Sequence, residues 1–134
     1  MPDLIHRALT ERIIGVFHDV YNELGFGYVE SVYRRAAHIA LADTGLAVAA
    51  EVPVEVIFRG RVVGLFKADL VVEDAVVVEL KTARAIDPAH EAQLLNYLRG
   101  TRLEVGLLLN FGKQPSFRRL VLSNAHKRTG QTPP

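Results

Sequence analysis

Between Lys67 and Lys81 the chain reads Lys-Ala-Asp-Leu-Val-Val-Glu-Asp-Ala-Val-Val-Val-Glu-Leu-Lys, a segment that leaves a fold few choices. Val71, Val72 and Val76 to Val78 are β-branched and predict two strands meeting at the polar Glu73-Asp74 turn. Asp69, Glu79 and Lys81 interrupt these apolar stretches. Carboxylates so placed are costly to bury unless they are paired or bound to a cation. Two acids and a lysine at this spacing suit a divalent cation with a phosphate beside it. They also suit the exposed face of an amphipathic sheet, because so short a pattern often arises by accident.

The remainder of the chain narrows the class. Its 134 residues, 49% apolar and 23% charged, fit one folded domain rather than a disordered segment. The absence of cysteine excludes a disulfide framework and thiolate metal ligation, so a reducing, cytoplasmic setting is the expectation. Met1-Pro-Asp-Leu-Ile-His-Arg7 lacks the layout of a signal peptide, and no apolar run is long enough for a membrane span. A net charge of +1 does not by itself announce a nucleic-acid binder. If several acids hold a metal, however, the cation offsets them and the remaining surface is more basic than the total indicates.

Periodicity supplies the order of elements. Leu4, Ile5, Ala8, Leu9, Ile13, Val16, Phe17, Val20 and Leu24 predict a helix over about 4–24, with Asp3 as N-cap and Gly25-Phe-Gly27 as its end. A second helix is expected from about Val29 to Asp43, stopping near Gly45. Glu51 to Phe58 alternates as a strand, with Val52, Val54, Val56 and Phe58 on one face, and Pro53 argues for an edge or a bulge. Arg59-Gly60 turns into a strand over Val62–Val72, and Ala75–Lys81 follows as the third. Asp87-Pro88 starts a helix that runs to about Arg99 and stops at Gly100. Val105-Gly-Leu-Leu-Leu109 reads as a strand covered on both faces, and Phe117–Leu122 as the last strand. The fold class is α/β, a mixed sheet flanked by helices in the order α-α-β-β-β-α-β-β, with a parallel crossover from Val76 through Leu109. One domain over 1–122 and a polar, flexible tail over 123–134 are expected.

Side-chain alternation puts Glu79 and Lys81 on one face, roughly 6.5–7 Å apart along the strand. A strict two-residue turn at Glu73-Asp74 would pair Asp69 with Val78 and turn Glu79 away. A three-residue loop or bulge at 73–75 would set Asp69 opposite Glu79, and that is the arrangement expected. On the third helix Gln93 and Tyr97, four apart and with His90 three before, share a face, while Leu94, Leu95 and Leu98 cover the sheet side. That face fits a solvated polar stripe as well as a site, and His90 reads as a merely exposed residue. Glu30 opens the second helix, where an acid suits the macrodipole and could pair with Arg34.

Gly27-Tyr-Val-Glu30-Ser-Val-Tyr33 and Leu107-Leu-Leu-Asn-Phe-Gly112, with the residues above, resemble the GxxExxY proteins over about residues 8–122. That family lies in the PD-(D/E)XK nuclease superfamily, whose restriction-endonuclease-like fold has the core order helix, three strands, helix, strand. The resemblance implies that Asp69 is the motif aspartate, with Ala68 where the name-giving proline would stand. Glu79 and Lys81 match its E-x-K pair, Glu30 its helical acid, and Gln93 and Tyr97 the Q-x-x-x-Y motif of the RecB-type branch. It implies Mg²⁺ or Mn²⁺ held by Asp69, Glu79, the Leu80 carbonyl and Glu30. Lys81 would then position the water or neutralise charge growing on the phosphate, and Gln93 and Tyr97 would orient Lys81 or the phosphate backbone. The implied activity is hydrolysis of nucleic acid, DNA first, with a homodimer supplying a larger groove. Two alternatives stay open: a nuclease-fold module that binds nucleic acid or a protein without cutting it, and a hydrolase of smaller phosphate esters.

Overall fold

A computed structural model describes residues 5–127. Helices α1 (Arg7–Leu24) and α2 (Glu30–Asp43) precede strands β1 (Val48–Phe58), β2 (Arg61–Val72) and β3 (Val76–Lys81). Helix α3 (Pro88–Arg99), strands β4 (Val105–Asn110) and β5 (Ser116–Val121) and a short turn at Asn124–His126 follow within the described residues. This is the expected α-α-β-β-β-α-β-β order. The five strands lie in sequence order, β1-β2-β3-β4-β5. Only β3 and β4 run parallel, across the α3 crossover; the other neighbours are antiparallel.

Each sheet face has its own core. On one side Ile13, Phe17 and Val20 of α1 and Tyr33, Ala37 and Leu41 of α2 pack on Leu70, Val78, Leu80, Leu107 and Leu109. On the other, Leu94, Tyr97 and Leu98 of α3 pack on Ala68, Val71, Val77 and Leu108. Strand β4 is buried along its whole length, as its unbroken apolar run requires. Pro53 lies on the outermost strand, the position in a sheet where a residue without an N–H is tolerated.

The structure departs from expectation at several ends. Helix α1 starts at Arg7 rather than near residue 4, with His6 as its N-cap and no side-chain cap. Asp3 lies outside the described residues. The alternation Val52-Val54-Val56-Phe58 is broken by a register shift at Val56/Ile57. His90 is not a free surface residue, because its Nδ1 accepts the Asp87 backbone N–H at 3.1 Å and closes a capping box. The tail's first residues are ordered on the fold, with Lys127 Nζ donating to the Thr101 and Leu103 carbonyls at 2.7 and 2.8 Å. Residues 128–134 of the expected flexible tail lie outside the described residues. Among the described residues no helix is long and apolar enough to cross a membrane.

Candidate active site

β2 and β3 share a short ladder: Val72 opposite Val76, Val71 opposite Val77 and Leu70 opposite Val78. Residues 73–75 close it as a three-residue loop. Glu73 and Asp74 both take left-handed backbone, φ 54° and 51°, which is strained for side chains other than glycine. Neighbours hold them there. The Ala47 N–H donates to Glu73 Oε2 at 2.6 Å, the Glu73 N–H donates to the Ala47 carbonyl at 2.8 Å, and Arg102 ion-pairs with Asp74. The extra residue sets Asp69 opposite Glu79, the register expected.

At that step the carboxylates take over from the main-chain ladder. The Asp69 N–H donates to Glu79 Oε1 at 3.2 Å, and the Leu80 N–H donates to Asp69 Oδ2 at 2.8 Å. Beyond it β2 is paired with β1 alone, so the two acids sit in the fork where β2 leaves β3. Lys81, two residues past Glu79, projects on the same side and donates from Nζ to Gln93 Oε1 at 3.3 Å. Gln93 is exposed on α3, whereas Tyr97 one turn on is buried, 2% exposed, with its ring 5.6 Å from that of Phe66. Tyr97 therefore belongs to the core beneath the site and not to a solvated stripe.

Electrostatics single out Glu79, which is only 7% exposed. Burial, and after it the negative charge of Asp69, push its carboxyl up to about 8, against the opposing pull of the Asp69 N–H and Lys81. In neutral solution it holds a proton. Burial and then the charge of Glu79 push Tyr97 up to about 12. Two hard oxygen donors pressed together fit a divalent cation. A magnesium-sized ion keeps several waters, so Asp69, Glu79 and one backbone carbonyl are donors enough.

Glu30 does not join them. Among the described residues no three His, Asp or Glu side chains gather closely enough to hold a metal. The pair expected between Glu30 and Arg34 is replaced by another. Arg34, one turn further along α2, reaches over the sheet to Asp69 Oδ1 at 3.4 Å and to Glu51 Oε1 at 3.8 Å. Glu51 takes left-handed backbone inside β1, φ 53°, at the gap between the pairs Ala50–Leu70 and Val52–Ala68, directly across from Asp69. Sequence reasoning missed Arg34 as a site residue. Its one signal was its position a helical turn after Glu30.

Lys81 is also braced from behind. Buried Asn110 accepts the Ala83 N–H on Oδ1 and donates from Nδ2 to the Ala83 carbonyl, both at 2.9 Å. The Phe111 N–H donates to the Lys81 carbonyl at 2.7 Å. Gly112 passes so close that an added Cβ would lie 2.4 Å from the Ala83 carbonyl oxygen, so no other residue fits without a shift. Phe111 stacks on Tyr33 at 4.3 Å, and the Tyr33 hydroxyl donates to the Gly25 carbonyl at 2.5 Å. Gly27 has φ 112°, which side chains avoid. Gly27 and Tyr33 thus shape the loop into α2 and lock it to the end of β4.

The model of one protein family matches residues 7–120, nearly the whole described chain. The chain belongs to the PD-(D/E)XK nuclease superfamily. Proteins of that superfamily typically use divalent metals. A solved crystal structure, that of SSO0001, superposes with a TM-score of 0.51 at 20% identity, over 69% of this chain and 50% of that one. At that identity the likeness concerns the fold alone, and the chain spans about half the length of SSO0001. No curated protein matches.

Proposed function

We propose that this superfamily member is a metal-dependent nuclease hydrolysing nucleic-acid phosphodiester bonds, with DNA as the first substrate. The observation that carries the reading is the buried Glu79 carboxyl pressed against Asp69, with Lys81 on the same side two residues on. Asp69, Glu79 and the Leu80 carbonyl would hold Mg²⁺ or Mn²⁺, and Glu30, standing apart from both acids, would act through a water. When bound, the cation supplies Lewis acidity toward a phosphate oxygen and a bound water of lowered pKa. Lys81 then holds the attacking water or neutralises charge growing on the phosphate. Gln93 steers the Lys81 ammonium, and Tyr97 fixes the α3 turn that carries Gln93.

Gly27, Glu30 and Tyr33 support assignment to the GxxExxY branch. The lack of cysteine supports a cytoplasmic setting. A homodimer would bring two such sites to one substrate. One contact favours a second reading, a nuclease-fold module that binds nucleic acid or a protein without cutting: Arg34 already supplies Asp69 with a positive partner.

The test is incubation of purified protein with linear and circular DNA under Mg²⁺ or Mn²⁺, beside Lys81→Ala and an EDTA control. Cleavage lost in both controls supports the nuclease. Binding of DNA or RNA without metal-dependent cleavage of either supports the module.

A further inference from the structure

Strands β1 and β2 change faces at one step. Val48 and Leu70 pack in the core beneath α1 and α2, whereas Val52 and Ala68 pack in the core beneath α3. Residues an even number apart on a strand normally share a face, so on both strands the alternation resets between them. The residues at the reset are Glu51 and Asp69, left between the pairs Ala50–Leu70 and Val52–Ala68. Glu51 takes φ 53° there, a conformation costly for any side chain but glycine and kept by the cores on either side. Its side chain is 58% exposed, and its one ionic partner among the described residues is Arg34. Neither packing nor the ladder calls for an acid at this strained position.

Glu51 and Asp69 share one guanidinium. Arg34 lies 3.4 Å from Asp69 Oδ1 and 3.8 Å from Glu51 Oε1, both longer than the roughly 2.7–2.9 Å of a close charge-assisted bond. A guanidinium offers more N–H donors than two such contacts use, and the Arg34 side chain is 25% exposed. A cation on Asp69 takes over the negative charge that draws Arg34 there, while Glu51 still holds the arginine beside the site. Lys81 enters from the α3 side, where its Nζ meets Gln93. A phosphate on the cation would thus find an arginine on the α2 side and a lysine on the other. The planar guanidinium suits two phosphate oxygens at once.

We infer that Arg34 is a substrate-binding residue: once a cation holds Asp69, its guanidinium, tethered by Glu51, binds the nucleic-acid phosphate on that cation. This rests on the reading of Asp69 and Glu79 as a cation site and adds the group that couples cation to substrate. The test is fluorescence anisotropy of a labelled oligonucleotide, as duplex DNA and as RNA, titrated with the full chain in EDTA and in Ca²⁺. A gel confirms that the probe stays intact, calorimetry follows Mn²⁺ binding, and circular dichroism confirms folding. Arg35→Gln, which removes an equal charge at the next, exposed position, is the control. Ca²⁺ should tighten wild-type binding of one probe. Arg34→Gln should lose about tenfold of that gain, with a smaller change in EDTA, while its Mn²⁺ binding tightens. An arginine that merely braced α2 or Asp69 would weaken Mn²⁺ binding as well. Glu51→Gly, at a φ that glycine accepts, should fold as well as the wild type. It should still lose part of the gain, although removing a negative charge otherwise favours phosphate binding. A wild type that binds no Mn²⁺ would bring down the metal reading and this inference together. Three results in a protein that does bind Mn²⁺ would overturn the inference alone: neither probe bound, Arg34→Gln no weaker than Arg35→Gln, or the full gain kept in Glu51→Gly.

Discussion

At the residue scale the site turns on one carboxyl. Glu79 has a folded-state pKa of about 8 against an ordinary 4.5. Its sign is opposite to that of an acid in a salt bridge. Between these values the folded protein keeps a proton that the unfolded chain has lost, so stability of the metal-free protein falls as pH rises through the window. The upper limit is on the order of 4–5 kcal/mol. Urea melts in EDTA at pH 5 and pH 8.5 should show the loss, and Glu79→Gln should flatten the difference; a variant with the wild-type slope would refute this account of Glu79. Metal binding must displace the same proton, so Mn²⁺ affinity should rise with pH up to about 8 and level off above it. Arg34 predicts an opposite effect from the ligands. With its charge removed from beside Asp69, Arg34→Gln should tighten Mn²⁺ binding about five- to tenfold, roughly 1–1.4 kcal/mol. Asp69→Asn should weaken it. Calorimetric titration separates the two, and weaker binding in Arg34→Gln would mean that the arginine serves to orient Asp69 for the metal.

At the element scale, the positions of the catalytic candidates depend on how strand ends are tied. Asn110, at the end of β4, bonds both backbone groups of Ala83 just past β3. Asn110→Ala would leave them unpaired in a half-buried place, at a cost of about 1–2 kcal/mol. Chemical denaturation measures that loss, and a change below about 0.5 kcal/mol would show that Ala83 finds other partners. The reach from Asn110 to Ala83 was not legible in the chain, because 27 residues separate them and nothing local announces the bond. The 73–75 loop was legible. Its polar pair between valine runs marks a turn, and the requirement that Asp69 and Glu79 share a face selects its length. Tyr97 was half legible: the helical period placed it one turn from Gln93, while its burial depends on the sheet residues and Phe66 that pack against it.

At the scale of the whole molecule, a cation that binds the folded state alone should stabilise all of it. Mn²⁺ at about a hundred times its dissociation constant adds ~2.7 kcal/mol, or roughly 10 °C in Tm. Thermal melts with and without Mn²⁺ should show the rise in the wild type and its absence in Asp69→Asn; equal shifts in both would place the metal elsewhere.

What the sequence determined by itself is the list of elements, their order and the face on which Asp69, Glu79 and Lys81 stand. Helical and strand periods, caps and turns are short-range signals, carried by residues close along the chain. Only the tertiary structure decided that Arg34 rather than Glu30 meets Asp69, because a helix's reach over a sheet depends on how the two pack. Likewise, the outer part of the β1–β2 hairpin is exposed, valines included, because its pairing with β3 ends at Leu70. Whether an apolar strand is covered depends on its neighbours, and these lie beyond the range of any local pattern.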